Sequence, residues 1–581
     1  MAEKATEQKP VQKTVSAEEL AKDFKEHSVA EFFKKNMQML GLTGKIKTLT
    51  TIVHEYVTNS LDACEEAGIL PEIEVQLEEL GDEYMEVNVK DNGPGLTQET
   101  VGKALGQLLA GTKFHRMIQA RGQQGIGAAG CTMLSQITTG KPVKVITGTA
   151  KSKPISLEIT IDPKKNESVI SNVLELKKDF RGLAVKARFK GVKYVNSEQG
   201  PLEYIRRTAI ANPHAKITLI APDKSVTTFN RSNKEIPEKP LEIKPHPKGA
   251  TVDEVITLSK STQAKKISSF LKAEFDRVGD KAIEEIEKNA SFDLEKDPRK
   301  LEWDESEEIV KMFKKINFIA PRTDGLIPIG EDRIQKSLES IVQPEYMSVI
   351  TRKPQVYSGG FPFLVEVGIA YGGNAGRLVS DNVIKVEGEE GTVTRKIEIM
   401  RFANRAPLLF DTGGCAITKA VQSIDWKRYG IKDFENTPLT IFVNLLSVHI
   451  PYTSAGKQAI SDEEEIMEEL RLALMDAGRR TGIYISGKRK EQEKQMKREL
   501  FFKYIPEIAV ALNKLTKEPD EKLKKNLEKL VLDKLRLEEE EEQKVSQEID
   551  KTMKATKEDA KKRAEKKAKE KEENEEETEE E

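Results

Sequence analysis

The spacing of hydrophobic residues changes from a helical to a strand period between Leu49 and Lys90. Apolar side chains recur every three or four residues from Leu49 to Cys64, which predicts an amphipathic helix that ends at Gly68. Over residues 84–90 apolar and polar residues alternate, which predicts a strand with one buried face. This part of the chain therefore combines both element types, as an α+β fold does.

Helical and strand patterns continue to alternate from about residue 28 to residue 230. Short strands are predicted at 143–148, 156–161 and 184–189. Prolines at 237, 240, 245 and 247 indicate a linker, and the following residues, 250–305, have the pattern of short helices, clearest at 264–278 and 281–288. The linker suggests that a small helical insert follows the first α+β region.

The second half of the chain returns to strands and ends in long helices. Strand patterns occur at 363–370, 396–402 and 440–448. One long amphipathic helix is predicted to begin near Ser461, and another to run from about 488 to 515. From about residue 538 the sequence is rich in Glu and Lys, a composition that cannot bury a core.

Composition excludes several classes of protein. A chain of 581 residues predicts two to four domains, and its net charge of −3 does not by itself indicate a nucleic-acid partner. Its three cysteines form no C-x-x-C pair, which argues against a zinc site or a disulfide framework. The longest apolar run, 439–448, is too short to cross a bilayer. We therefore expect a cytoplasmic protein without a membrane partner.

The predicted helix carries polar residues that suit phosphate chemistry. Glu55, Asn59 and Asp62 share one helical face because they lie four and seven residues apart. The amide oxygen of Asn59 suits a magnesium ion that bridges phosphates, and Glu55 one turn away can deprotonate an attacking water. Considered alone, this spacing is more typical of a solvated helix face; the segments that follow favour a nucleotide site.

The strand at 84–90 is followed by Asp91 and two nearby glycines, Gly93 and Gly95. An ATP site needs an anionic acceptor for the exocyclic amine of adenine, and glycines allow the backbone to approach the base closely. The alternative is a plain turn, because Asn-Gly and Pro-Gly are both turn dipeptides. Asp91 is accordingly a candidate for reading the base.

A glycine-rich run from 122 to 130 has four glycines in nine residues. Its backbone N–H groups can cradle phosphate oxygens at the start of a helix predicted from residue 128, although a flexible loop is the alternative. Thr112 and Lys113 lie just upstream as further phosphate contacts. No G-x-x-x-x-G-K-[ST] motif occurs in the chain. The cofactor-binding residues predicted in the run are Gly122, Gln123, Gln124, Gly125, Ile126, Gly127, Ala128 and Ala129.

Together these segments resemble the GHKL ATPase family, which includes gyrase-type topoisomerases, heat-shock chaperones, mismatch-repair proteins and histidine kinases. The helix matches the N box, residues 91–95 the first glycine box and 122–130 the second. The resemblance implies a Bergerat-fold domain that uses ATP and Mg²⁺. One element departs from the family pattern, the Gly-Thr pair that supports the adenine aspartate. Its best counterpart, residues 181–184, lacks the threonine, so another residue supports Asp91 or the element is misaligned.

Four longer stretches, 28–36, 121–127, 204–214 and 451–458, resemble the B subunits of type IIB DNA topoisomerases. The resemblance covers about residues 28–535 and implies a transducer with a right-handed βαβ crossover and long C-terminal helices. The implied divisions are a flexible arm (1–27), the ATPase domain (28–234), a helix-two-turns-helix domain (235–306), the transducer (307–490), stalk helices that bind the topoisomerase A subunit (491–537) and a charged tail (538–581).

The resemblance also implies an activity and partners. Lys457 would reach the terminal phosphate from the transducer and act with Glu55 in catalysis. Two protomers would dimerise through their ATPase domains, capture double-stranded DNA and drive it through a break made by the A subunit, in a heterotetramer of two A and two B subunits. The outcome would be relaxation and decatenation of DNA.

Three alternatives remain open on the sequence. The chain could be another GHKL enzyme, such as a mismatch-repair-type ATPase. It could be a signalling kinase, although only about 30 residues precede the ATPase region, too few for a dimerisation domain with a phosphoacceptor histidine. It could also be a non-enzymatic scaffold related to the meiotic B-like protein.

Overall fold

The computed structural model describes residues 31–32, 35–37, 41–111, 117–122, 125–379, 395–454 and 456–534. The described residues up to Gly482 form one compact unit, and those from Ile483 onward form a second. The first unit contains both large sheets and the helices packed on them. The limits predicted for the individual domains stay predictions.

An eight-stranded sheet forms the first half of the first unit. Its strands are β1 (Glu72–Gly81), β2 (Tyr84–Asp91), β3 (Val143–Gly148), β4 (Ile155–Asp162), β5 (Glu167–Glu175), β6 (Gly182–Lys190), β7 (Lys216–Ile220) and β8 (Val226–Phe229). They lie in the order β5-β4-β3-β6-β2-β1-β7-β8, and all neighbours are antiparallel except β1 and β7. The strands predicted near 84, 143, 156 and 184 are therefore confirmed.

Four helices accompany this sheet: α1 (Lys45–Ala67), α2 (Gln98–Gly106), α3 (Gly127–Thr139) and α4 (Pro201–Ala211). The apolar stripe predicted for α1 is buried in the core, where Leu49, Ile52 and Val53 are inaccessible to solvent. The helix ends at Gly68, whose left-handed backbone (φ 68°) lets its N–H group bond to carbonyls of the last turn. The predicted helix end is thus confirmed, and α1 packs against the sheet through its buried apolar face.

A helical segment follows, formed by α5 (Val252–Ser261), α6 (Ile267–Glu274), α7 (Asp280–Asn289) and α8 (Trp303–Lys315). Its core contains Phe270, Phe275 and Phe313, whose rings meet edge to face. Helix α6 is shorter than the predicted 264–278 because Phe275 turns extended to pack between the other two rings. The predicted insert is therefore helical, with a small aromatic core of its own.

A second sheet lies in the later part of the first unit. The bounds in this region are α9 (Glu331–Ile341), β9 (Tyr346–Thr351), β10 (Gln355–Tyr357), β11 (Phe361–Tyr371), β12 (Arg377–Leu378), β13 (Arg395–Lys396), β14 (Glu398–Ala403), β15 (Ala406–Pro407), α10 (Ala416–Gln422) and β16 (Leu439–Ser447). The sheet has the order β10-β11-β16-β14-β15, β9 pairs with β11, and α9 packs on β9 and β11. The βαβ connection expected of the transducer is present, because β14 and β16 are parallel and α10 lies between them in the chain.

One correction concerns the C-terminal helices. Two helices with a break before residue 488 were predicted, but α11 (Glu464–Thr516) is a single helix of 53 residues. No proline lies between Ser461 and Lys488, so the backbone hydrogen-bond ladder is not interrupted there. A further helix spans 520–534. Among the described residues, no helix combines the length and the apolar character that a membrane crossing requires.

Within the first unit, a buried charge cluster joins helix α4 to the second sheet. Glu398 of β14 accepts hydrogen bonds from the guanidinium groups of Arg206 and Arg207, the latter at 3.2 Å. Glu203, one turn earlier in α4, also accepts a hydrogen bond from Arg206, at 2.8 Å. Glu398 and Arg207 are both buried, so the cluster fixes α4 against β14. If one of these charged groups were removed, water could not take its place as a partner for the other.

Glu398→Gln is expected to lower the free energy of unfolding by about 3 kcal/mol, because the guanidinium groups of Arg206 and Arg207 lose one of the two carboxylates they share and keep Glu203. Urea titration of the full chain measures this loss. The control is Glu435→Gln, which changes an exposed carboxylate and should stay within about 0.5 kcal/mol of the parent. Equal stability of the two variants would contradict a structural role for the cluster.

Candidate nucleotide-binding site

The Asp91 carboxylate lies at the end of β2 and is held by three donors. The Ser60 hydroxyl donates to Oδ2 at 2.8 Å, and the backbone N–H groups of Gly93 and Leu183 donate to Oδ1 at 2.9 and 3.1 Å. Burial raises the pKa of Asp91, and these hydrogen bonds oppose the rise. Only 4% of the residue is exposed, so its carboxylate is a fixed acceptor in a sheltered position.

Support for Asp91 comes partly from the segment that the sequence indicated, 181–184, and partly from a residue that it did not, Ser60. The segment at 181–184 contributes the backbone N–H of Leu183 rather than a threonine hydroxyl, and Ser60 of α1 supplies the hydroxyl instead. Thr147 of β3 bonds to the N–H and C=O of Leu96, both at 2.8 Å, and so fixes the loop after Asp91. The sequence feature that could have indicated this role is the position of Ser60, a polar residue within the apolar stripe of α1, four residues after Tyr56.

Three glycines meet beside Asp91. Gly95 has a left-handed backbone (φ 69°), and a Cβ there would collide with the carbonyl oxygens of Gly148 and Gly182. Gly148 and Gly182 are themselves partners in the pairing of β3 with β6. The three backbones approach so closely that no side chain fits between them. The surface next to the carboxylate is therefore free of side chains from these three positions, which suits the edge of a flat ligand.

The glycine-rich segment lies against the polar face of α1. Helix α3 begins at Gly127, where an added Cβ would overlap the Glu55 carboxylate; one added at Gly122 would lie 3.8 Å from Oδ1 of Asn59. Within the part of the chain that the structure describes, no side chain caps the first N–H groups of α3, and Gly125 takes a left-handed conformation (φ 58°). Uncapped N–H groups at a helix N-terminus favour an anion, so this end of the site suits phosphate.

Lys457, in the second half of the unit, carries a charge that acts on α1. Burial lowers the pKa of His54; the neighbouring Glu55 carboxylate opposes the shift, and the nearby charge of Lys457 adds to it. The Lys457 ammonium and the Glu55 carboxylate therefore act on the same part of α1. Lys457 also has a left-handed backbone (φ 52°), an unusual conformation for a residue with a long side chain.

The loop that carries Lys457 is held close to α1 by packing. The loop is closed by the bridge between Tyr452 and Ile460. Gln458, next to Lys457, accepts a long hydrogen bond from the Phe410 N–H at 3.4 Å. Phe410 packs in the same core as α1, and the Lys47 ammonium lies 5.0 Å from the centre of its ring. These contacts hold the loop that carries Lys457 to the core that contains α1.

Asp62 has a structural rather than a solvated position. It is buried and accepts a hydrogen bond from Arg121 at 2.6 Å. Arg121 immediately precedes Gly122 and also pairs with Glu65 of α1 at 2.6 Å. The polar face predicted for α1 therefore divides by role: Glu55 and Asn59 face the glycine segment, whereas Asp62 anchors the residue before it.

The remaining predicted residues differ in what the structure says of them. Thr112, Lys113, Gln123 and Gln124 lie outside the described residues, so their contacts stay predictions. Among the described residues, no group of three or more His, Cys, Asp or Glu side chains could hold a metal ion. An ion shared with phosphates needs only one or two protein oxygens, and the exposed Asn59 beside Gly122 fits that need.

Comparison with known families identifies the class first. Residues 44–170 match the family model described as histidine kinase-, DNA gyrase B-, and HSP90-like ATPase, so this part of the chain has the GHKL ATPase fold. Residues 321–497 match the model described as topoisomerase VI B subunit, transducer. The α+β fold class predicted from the sequence is confirmed.

Curated relatives then identify the family. The chain is 46% identical to the B subunit of type 2 DNA topoisomerase 6 from Pyrococcus horikoshii, across 91% of the chain and 99% of the relative. It is 47% identical to the B subunit from Methanothermobacter thermautotrophicus, across 86% and 94%. The chain belongs to the family of type 2 DNA topoisomerase 6 B subunits. The transducer match and these relatives favour this family over a kinase, a mismatch-repair ATPase or a scaffold.

Ser60→Ala is expected to weaken ATP binding about tenfold, because the Asp91 carboxylate loses a charge-assisted hydrogen bond and its orientation. Isothermal titration calorimetry measures the change. The control is Ser135→Ala in α3, which removes a buried hydroxyl that has no hydrogen-bond partner among the described residues. Parent-like affinity in Ser60→Ala would contradict the assigned support of Asp91.

Proposed function

We propose that this chain is the ATP-binding and ATP-hydrolysing B subunit of a type 2 DNA topoisomerase, with its nucleotide between α1, β2 and the start of α3. The observation that carries the proposal is that separate groups converge on α1: Asp91 bonds to Ser60 in its second half, the Glu55 carboxylate borders Gly127 near its middle, and the charge of Lys457 acts on the adjoining His54. These residues come from four separate parts of the chain: α1, β2, the start of α3 and the loop that carries Lys457. A bound ATP needs an acceptor for its base at one end and, at its phosphates, N–H donors, an acid and a cation. Asp91 would supply the first, and the start of α3, Glu55 and Lys457 would supply the others.

Each residue has a distinct proposed role. Asp91 accepts a hydrogen bond from the exocyclic amine of adenine, and the first N–H groups of α3 bind the phosphates. Glu55 orients and deprotonates the attacking water, since its carboxylate borders the phosphate segment at Gly127. Lys457 stabilises the negative charge that develops on the transferred phosphoryl group. Asn59 would hold Mg²⁺, which neutralises phosphate charge when bound.

Hydrolysis is proposed to drive movement of a DNA duplex. Two B subunits dimerise through their ATPase domains (28–234), with the arm at 1–27 assisting, and capture one duplex. The helix-two-turns-helix domain (235–306) and the transducer (307–490) relay the nucleotide state. The stalk helices (491–537) bind the A subunit, which cuts the second duplex within a heterotetramer of two A and two B subunits. We place this activity in the cytoplasm.

Glu55→Ala is expected to reduce kcat for ATP at least 100-fold while ATP still binds, because the general base is lost and the binding groups remain. A phosphate-release assay measures turnover, and calorimetry measures binding. The control is Glu74→Ala, which removes an exposed carboxylate from β1 and should hydrolyse ATP like the parent. Parent-like turnover of Glu55→Ala would remove Glu55 from its assigned role.

Lys457→Asn is expected to slow hydrolysis about 100-fold, because the transition state loses a cation. Asparagine tolerates the left-handed backbone at this position, so the change tests the charge rather than the conformation. The control is Lys432→Asn at an exposed site of the same half of the chain. ATP turnover and DNA relaxation by the enzyme reconstituted with its A subunits are both measured, and unchanged rates would refute the role of Lys457.

A further inference from the structure

The segment that leads into the phosphate region, residues 117–121, is bonded to parts of the chain outside the first sheet. We call it the tether. The C=O group of Met117 accepts a hydrogen bond from the N–H of Ile243 in the proline-rich linker, at 2.9 Å. The C=O group of Ala120 accepts one from the side chain of Asn404, at 3.0 Å. Asn404 lies in the turn between β14 and β15, so the tether reaches the second sheet.

Gln119 makes the most specific of these contacts. Its Nε2 donates to the C=O of Ile327 at 3.2 Å, and its Oε1 accepts from the N–H of the same residue at 2.7 Å. Both polar ends of the side chain are therefore used on one backbone unit, and only 7% of Gln119 is exposed. Arg405, which follows Asn404, donates to the same Ile327 carbonyl at 2.9 Å. Ile327 thus connects the tether to the second sheet.

The other end of the tether is anchored in the nucleotide domain. Arg121 pairs with Asp62 and Glu65 of α1, and it also donates to the side chain of Asn212 at 2.5 Å. Asn212 in turn donates to the Arg405 carbonyl at 3.2 Å. The glycine segment begins directly after the tether, so a continuous path of hydrogen bonds runs from Arg121 beside that segment through Asn212 and Arg405 to Ile327.

We propose that Gln119 is a positioning residue that couples the phosphate segment to the transducer through Ile327. The proposal rests on the nucleotide site proposed above and adds a second connection to it. Lys457 would sense the nucleotide from the transducer, whereas Gln119 links the transducer to the protein segment beside the phosphates. The tether is the element that couples the two sites. Its position depends both on the phosphate segment that follows it and on the transducer residue Ile327 to which it is bonded.

The chain contains a matched control for Gln119. Gln136 of α3 makes the same reciprocal pair, donating to the C=O of Ile161 at 3.0 Å and accepting from its N–H at 2.9 Å. Both partners of that pair lie in the first sheet and its helices. Replacing either glutamine with methionine keeps the side-chain volume close and removes two hydrogen bonds, but only Gln119→Met breaks a link to the transducer.

The test uses the full chain reconstituted with the A subunit of a type 2 DNA topoisomerase 6. For each variant, the number of duplexes passed per ATP hydrolysed is measured together with ATP turnover and the melting temperature. Gln119→Met is expected to lower the passage ratio at least fivefold while ATP turnover stays within about twofold of the parent. Gln136→Met should keep the parent ratio despite a similar loss of hydrogen bonds. A parent-like ratio in Gln119→Met, or an equal fall in both variants, overturns the proposal.

A second variant keeps the test informative if Gln119→Met does not fold. Gln119→Glu can still accept from the Ile327 N–H but cannot donate to its carbonyl, so it should give an intermediate passage ratio; a parent-like ratio counts against the proposal. Failure of the proposed function is a separate result: the parent enzyme would then show no ATP turnover at all, and the ratio would be undefined in every variant.

Discussion

The buried ion pairs of Arg121 are the interaction on which the geometry of the site depends. Arg121 stands immediately before Gly122, whereas its partners Asp62 and Glu65 belong to α1. Burial alone would raise the pKa of Glu65, but the charge of Arg121 and the hydrogen bond with His214 hold that pKa well below its usual range. Removing one partner of a buried pair leaves an uncompensated charge, so the pairs keep α1 and the glycine segment in one relative position.

That constraint explains how residues distant in sequence face one ligand. Because the glycine segment is fixed on α1, the start of α3 lies beside Glu55. Ser60, which is also in α1, donates its hydrogen bond to Asp91 and orients the carboxylate. The charges are balanced locally, because Arg405 approaches Glu65 to 4.0 Å and so provides a second cation for the two acids of α1. Since Arg405 lies in the turn between β14 and β15, the charge cluster beside the nucleotide site also joins α1 to the second sheet.

The sequence predicted what depends on local periodicity and chemistry. The helix that ends at Gly68 and the strand before Asp91 were predictable because burial repeats at the period of each element. Glu55 and Asp91 could be named as candidates because only a few residue types suit an acid or a base-reading role, and those roles stay predictions. The break predicted before Lys488 was wrong, because two amphipathic patterns can follow one another on a helix without a change in the backbone.

Contacts between distant parts of the chain could not be predicted in the same way. Ser60 looks like a tolerated polar residue in an apolar stripe until β2 brings Asp91 to it, 31 positions later. Gln119 and Ile327 are separated by 208 positions, and nothing in the residues near either one indicates the pair. Such contacts depend on how sheets and helices pack, which the pattern of a single sequence does not specify.

The central claim is that one nucleotide lies between α1, β2 and the start of α3. A crystal structure of the chain with a non-hydrolysable ATP analogue and Mg²⁺ tests it most directly. We expect the exocyclic amine of adenine about 3 Å from the Asp91 carboxylate and the phosphates at the first N–H groups of α3. Lys457 should then contact the terminal phosphate. An analogue bound elsewhere, or with its base turned away from Asp91, would contradict the account.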